Sequence, residues 1–294
     1  ANKMVGRSVM MKVEKAPASP SGGGLVFDDV SLLSPSGVPV LDHLSFGVER
    51  GEIVAVAGVQ GNGQTELAEA VLGLRTPDSG TISLEGADIT RTNPRASLDA
   101  GIGFIPEDRT TDGIIASFSI ADNLVLDQFG EAPFSKGPML KLGVIDDNAR
   151  AKQQEYDIRL TDVSDPISSL SGGNQQKVVV AREMSKELNL LVANQPTRGV
   201  DVGSIEFIHK RIVGVRDQGT PVLLISSELD EVLSLADRVV VMYRGRIMGI
   251  VPAGTPRDVL GLMMAGVPLD EAMSASEEHS DGAGEGHTME GGTR

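Results

Sequence analysis

Apolar and polar positions follow two periods along this chain, and the switches between them outline the fold. The short apolar runs EIVAVAG (52–58), LNLLVA (188–193) and PVLLIS (221–226) have the length of buried strands. Each is followed by helical spacing: TELAEAVLGL (65–74), a helix from about Ser204 to Gln218, and ELDEVLSLA (228–236). TISLEGADI (81–89) and RVVVMYRGRIMGIV (238–251) read as paired strands, a helical run covers Asp146 to Glu155, and another helix begins after residue 171. Strands alternating with helices predict an α/β fold with a largely parallel core sheet. The middle, from 104 to about 170, is mixed and less strand-like.

The ends carry a different pattern. KAPASPSGGG (15–24) is Pro-, Gly- and Ser-rich and predicts a linker without means of building a core. Ser8 to Val13 is strand-like but has no evident partner. Residues 271–294 are rich in Gly, Glu and Ser and predict disorder; His279 and His287 lie there among acids, as in a solvated tail. Position 1 is Ala rather than Met, so the chain reads as a fragment or a processed form.

Composition narrows the class. The formal charge of −15 is spread along the chain, and the tail supplies only −5 of it. That balance argues against a nucleic-acid surface, which requires basic patches. No run approaches the roughly 20 apolar residues of a membrane span. The N-terminal ANKMVGRSVMMKVEK is too charged for a signal peptide. With no cysteine, disulfides and thiolate metal sites are excluded. His43 and His209 are far apart without ligand spacing and read as structural or surface residues. The charged helix around Glu206–Arg216 reads as a solvated face.

Three stretches carry chemistry. GVQGNGQT (58–65) lies between strand and helix, where Gly58, Gly61 and Gly63 let backbone N–H groups converge on an anion. The phosphate-binding pattern G-x-x-x-x-G-K-[ST] has lysine where Gln64 stands, while Thr65 keeps the hydroxyl. Alone, such a turn also suits a purely structural role. LSGGNQQK (170–177) opens a helix whose first turn presents Ser171, Gly172 and Gly173 to a phosphate, although Ser171 could instead simply cap that helix. LVANQPTRGVD (191–201) runs from an apolar strand into Asn194-Gln195-Pro196-Thr197, with amides where a nucleotide hydrolase carries carboxylates.

Together these stretches resemble the nucleotide-binding domain of ATP-binding-cassette (ABC) transporters over roughly residues 26–266. PEDR (106–109), SIADNL (119–124) and QPTRGVDVG look like the second cassette of double-cassette ATPases that drive simple-sugar and nucleoside import. Residues 1–25 then look like a linker and the remnant of a preceding cassette, and 267–294 like a disordered acidic tail. The resemblance implies a P-loop NTPase-type core with a helical signature subdomain, roughly 104–185, and an antiparallel β subdomain. It implies ATP and Mg²⁺ as cofactors, a first cassette, integral-membrane permease subunits and, indirectly, an extracytoplasmic substrate-binding protein as partners. It also implies a cytoplasmic position on the inner face of the plasma membrane.

By position the resemblance assigns Gly58, Gly61, Asn62, Gly63, Gln64, Thr65 and Glu66 to nucleotide binding. Ser171, Gly172, Gly173 and Asp201 are assigned to the same task across a head-to-tail dimer. Thr65, Glu107 and Asn194 would form a weak Mg²⁺ site. Gln195 stands at the general-base position and Ser227 at that of the switch histidine, both degenerate. Glu107 replaces the usual Q-loop glutamine, and no ring stands near Leu33-Ser34-Pro35 to stack on adenine. A general base contributes roughly 10²–10⁴ in rate, which an amide cannot supply. A charge-assisted phosphate contact is worth about 1.5–3 kcal/mol, so losing the lysine weakens nucleotide binding. The expected role is therefore donation of an intact LSGG to a partner's site. Two other roles remain open: a regulatory nucleotide-binding protein without a permease, and a soluble ABC protein of DNA repair or translation, which the acidic charge disfavours.

Overall fold

A computed structural model describes residues 13–282. Its first half contains β1 (Leu25–Leu33), β2 (Pro39–Val48), β3 (Ile53–Ala57), α1 (Gln64–Val71), β4 (Ser79–Leu84), β5 (Ala87–Asp88), α2 (Pro94–Asp99) and β6 (Ile102–Ile105). A π-helical turn (Arg109–Gly113), α3 (Ile120–Asn123), the hairpin β7 (Ser135–Lys136) and β8 (Met139–Leu140), and α4 (Leu142–Glu155) follow. Then come α5 (Gly172–Glu183), β9 (Leu190–Asn194), α6 (Val202–Asp217), β10 (Val222–Ser226), α7 (Leu229–Leu235), β11 (Arg238–Tyr243), β12 (Arg246–Pro252), α8 (Arg257–Met264) and α9 (Leu269–Gly282).

The six-stranded sheet has the order β12-β11-β3-β10-β9-β6, parallel except for the antiparallel edge strand β12. Its central strands are apolar on both faces because both faces are covered. Ile53, Ala55 and Ala57 of β3 face the helical layer, while Val54 and Val56 face the second sheet. β9 and β10 divide the same way, with Leu191, Ala193, Val222 and Leu224 on one side and Leu190, Val192, Leu223 and Ile225 on the other. The second sheet, β2-β1-β4-β5, is antiparallel. Its inward residues include Leu25, Phe27, Val30 and Leu32, and Phe27 stacks on Phe46 with centroids 4.5 Å apart. The region expected as helical, 104–185, holds α3, α4 and α5 together with the β7–β8 hairpin. Among the described residues no helix is long and apolar enough to cross a membrane.

Three expectations are corrected. The start of the 15–24 stretch, expected as a linker, is anchored to the fold together with Val13 before it. Val13 is buried, and the Lys15 ammonium donates to the carbonyls of Leu235 and Ala236 at 2.7 Å each and pairs with Asp237. Burial lowers the Lys15 pKa from its ordinary value against the pull of Asp237. The same Asp237 accepts from the Ile53 N–H (2.9 Å) and from Arg216 (3.0 Å), whose guanidinium also reaches the Ala16 carbonyl. Composition hides this, because the anchoring uses backbone carbonyls and one cation. Secondly, the helix around Glu206–Arg216 is not simply solvated: Arg216 is only 1% exposed and His209 is buried, though Glu206 and Lys210 do pair at the surface. Thirdly, the tail expected to be disordered from 267 is helical through Gly282. Asp270 and Glu271 favour the N-terminal end of α9, and Ala272 is fully buried. The strand-like stretch before Val13 and the side chains of His279 and His287 lie outside the described residues.

Asp237 thus joins the incoming segment, β3 and α6. Asp237→Ala removes the acceptor of the Ile53 N–H, of Lys15 and of one Arg216 nitrogen, while Asp217 still holds Arg216, and is expected to lower unfolding stability by about 3 kcal/mol, the upper range for buried polar groups left unsatisfied. Lys15→Met, which leaves the Arg216–Asp237 pair intact, costs about 1 kcal/mol on the scale of a single net hydrogen bond. Urea denaturation of the two variants checks this order.

Candidate functional site

Parallel strands deliver their following loops to one edge of a sheet, and four such loops meet here. β3 leads into the Gly58–Thr65 loop, β6 into Pro106-Glu107, β9 into Gln195, and β10 into Ser227. Gly63 starts α1 with φ 105°, and a Cβ there would lie 2.6 Å from the Val40 carbonyl, so glycine is required both for conformation and for space. The loop is braced from β11–β12: Asn62 accepts the N–H groups of Arg244 (2.8 Å) and Gly245 (2.9 Å) through its side chain and backbone. Glu66 turns aside toward Arg75, and Thr65 is exposed.

Gln64 changes what this loop can do. Its side chain is buried and folds back over the loop, accepting the Asn62 N–H at 3.1 Å and donating to the Val59 carbonyl at 3.2 Å. One neutral amide therefore satisfies a donor and an acceptor of the anion-binding turn. A lysine ammonium has only donors to offer, so it could not accept that N–H.

The end of β9 holds a second pair of side chains in contact. Gln195 has φ 48°, its N–H extends the ladder to the Ile225 carbonyl, and its side-chain amide donates to the Ser227 hydroxyl at 2.9 Å. The residues expected at the general-base and switch positions are thus in contact, and neither an amide nor an alcohol accepts a proton near neutral pH. The donor set also fits Mg²⁺ poorly. Thr65 and Asn194 offer neutral oxygens, while the Glu107 carboxylate is held by Gln60 at 2.9 Å and by Arg198. Among the described residues no cluster of three or more histidines and carboxylates could hold a metal.

The LSGG face differs. Ser171 is exposed and stands at the N-cap of α5, yet its hydroxyl makes no capping bond, so the first turn of this helix is not closed by a side chain. The simple helix-cap reading of Ser171 is thereby set aside. Gly172 and Gly173 are closely approached by side chains: a Cβ would lie 2.5 Å from the end of the flexible Arg109 side chain at the first, and 2.4 Å from the Asp201 carboxylate and 2.5 Å from the Ser204 hydroxyl at the second. Arg109 donates to the Arg198 carbonyl at 3.1 Å. Asp201, expected at a nucleotide, caps α6 by accepting the Ser204 hydroxyl (2.8 Å) and N–H (3.1 Å), and these bonds lower its pKa. Asp108 beside Arg109 is held to a pKa of about 2 by the Thr110 hydroxyl and neighbouring donors.

Sequence reasoning missed several contacts. Gln176 donates to the Pro196 carbonyl at 2.8 Å and ties α5 to the turn after β9. Thr197 and His209 both bond the buried Glu231, at 2.7 and 3.1 Å. His43, by contrast, is exposed beside Asp29.

Residues 41–198 match the family described as ABC transporter, just over half of the chain. The guanosine import ATP-binding protein NupO of Bacillus subtilis is 45% identical over 277 residues, covering 94% of this chain and 54% of that protein. The nucleoside import ATP-binding protein NupA of Lactococcus lactis is 44% identical, covering 92% and 54%. The glucose import ATP-binding protein TsgD13 of Haloferax volcanii is 42% identical, covering 90% and 49%. The chain spans about half the length of these relatives. Among solved structures, the ADP conformation of MJ1267, an ABC transporter cassette, matches with a TM-score of 0.69 at 20% identity, covering 86% of this chain and 99% of that one. With that fold, the glycine-rich loop at the end of β3 and LSGG at the start of α5, this chain belongs to the ABC transporter ATP-binding family.

Proposed function

We propose that the chain is the second, degenerate cassette of an ATP-driven importer for simple sugars or nucleosides. It binds nucleotide weakly in its own loop and donates Ser171, Gly172 and Gly173 to an ATP held by a first cassette. ATP supplies the phosphoanhydride whose hydrolysis drives transport; this chain supplies one wall of the partner's site. The cassette acts at the cytoplasmic face of the membrane, bound to permease subunits that an extracytoplasmic binding protein serves. The substrate class rests on the nucleoside- and sugar-import relatives.

One observation carries this reading: the two halves of the nucleotide-facing surface are opposite in state. Gln64 fills the loop's hydrogen bonds and Gln195 bonds Ser227, so the chain's own half lacks both a phosphate cation and a base. The Ser171 face keeps an uncapped helix start, where free N–H groups and the helix dipole favour an anion.

Hydrolysis of Mg-ATP by the isolated chain is expected at background, rising when the preceding cassette is added and vanishing again with Ser171→Arg. Turnover by the chain alone would contradict the reading. Gln64→Lys replaces the neutral amide by a phosphate-binding cation and is expected to tighten Mg-ATP binding by about tenfold or more, from the strength of a charge-assisted contact. Titration calorimetry on the isolated chain measures it, and unchanged affinity would mean that the 58–65 loop is not where phosphate binds.

A further inference from the structure

The signature serine is not free to point its proton anywhere. Asn174, in the first turn of α5, donates from Nδ2 to Ser171 Oγ at 2.9 Å. The orientation of that amide is fixed from outside the pair. The backbone N–H of Arg159 donates to Asn174 Oδ1 at 2.8 Å, so Oδ1 must face Arg159 and Nδ2 must face Ser171. A hydroxyl has one proton and two acceptor lone pairs. With an N–H already directed at one lone pair, the Ser171 proton is turned away from Asn174. The Ser171 oxygen accepts no backbone N–H of α5, and Ser171 is exposed. The two residues line a cleft of about 400 Å³ that also holds Arg159, Lys177, Asp201 and Lys210.

We propose that Asn174 is a positioning residue: it holds Ser171 Oγ as an acceptor and thereby commits the Ser171 proton to an oxygen of the phosphate presented to this face. The proposal rests on the signature-donor reading above. Asn174 does not itself touch the phosphate; it acts by choosing the direction of a proton.

Asn174→Asp separates this role from a structural one. A carboxylate still accepts the Arg159 N–H, and a negative charge in the first turn of a helix favours the dipole, so folding is not weakened. Facing Ser171, however, it can only accept, and it draws the Ser171 proton inward. In the protein together with the proposed partner cassette, N174D is expected to melt no lower than wild type while the kcat of Mg-ATP hydrolysis falls about tenfold or more, within the effect of losing one transition-state donor. Asn174→Ala, which leaves the hydroxyl free to rotate, is expected to cost about threefold, and in a Ser171→Ala background it should add nothing, because the two act as one unit.

Additive effects of Asn174→Ala and Ser171→Ala overturn the proposal and leave the signature-donor reading standing. The proposal falls equally if N174D lowers stability and activity together, or lowers neither. Unchanged hydrolysis on Ser171→Ala and Ser171→Arg instead overturns both.

Discussion

The site depends on the parallel register of the central sheet. β3 pairs with β10 residue for residue, Ile53 with Val222 through Ala57 with Ser226, and β10 in turn pairs with β9. A shift of one residue would turn every apolar side chain to the opposite face. It would also withdraw the Gly58 loop, Gln195 and Ser227 from their common edge. The register is held by burial on both faces and by Asp237, which accepts the first N–H of β3 while bound by Lys15 and Arg216. Segments distant in sequence therefore set the geometry at which nucleotide chemistry would occur.

On the proposed reading, Gln64 stands where a cation is expected and Gln195 where a base is expected, and the two act as a set. The structure gives each amide a new partner: Gln64 bonds its own loop, and Gln195 bonds Ser227. These contacts let the loops keep their shape without a phosphate or a charged carboxylate. At the LSGG face, meanwhile, Arg109 lies close against Gly172, and Asp201 with Ser204 against Gly173. Loops that report on one half of the surface therefore brace the other. Glu107 extends this bracing by bonding both Gln60 and Arg198.

Much of this was legible in the sequence where a pattern has a local cause. The apolar runs at 52–58, 188–193 and 221–226 became β3, β9 and β10, because continuous apolar strands suit a sheet covered on both faces. Gly63 was legible as well, since the turn into α1 needs a positive φ. Contacts between distant residues were not. Lys15 lies in a Pro/Gly/Ser stretch that looks like a linker, and its 222-residue separation from Asp237 leaves no local trace. The uncapped state of Ser171 was likewise hidden, because a serine before a helix reads as a cap until Asn174 is placed beside it. The α9 helix was missed because acidic composition outweighed one buried alanine.

The asymmetry between the two faces is the central claim, and amide hydrogen exchange tests it most directly. The protein would be labelled alone and with the proposed partner cassette, with and without Mg-ATP. Slowed exchange at 172–174 only when both the partner and nucleotide are present, with 59–65 little changed, is the expected result. Strong ATP-dependent protection of 59–65 in the isolated chain, with none at 172–174 in the assembly, would contradict it.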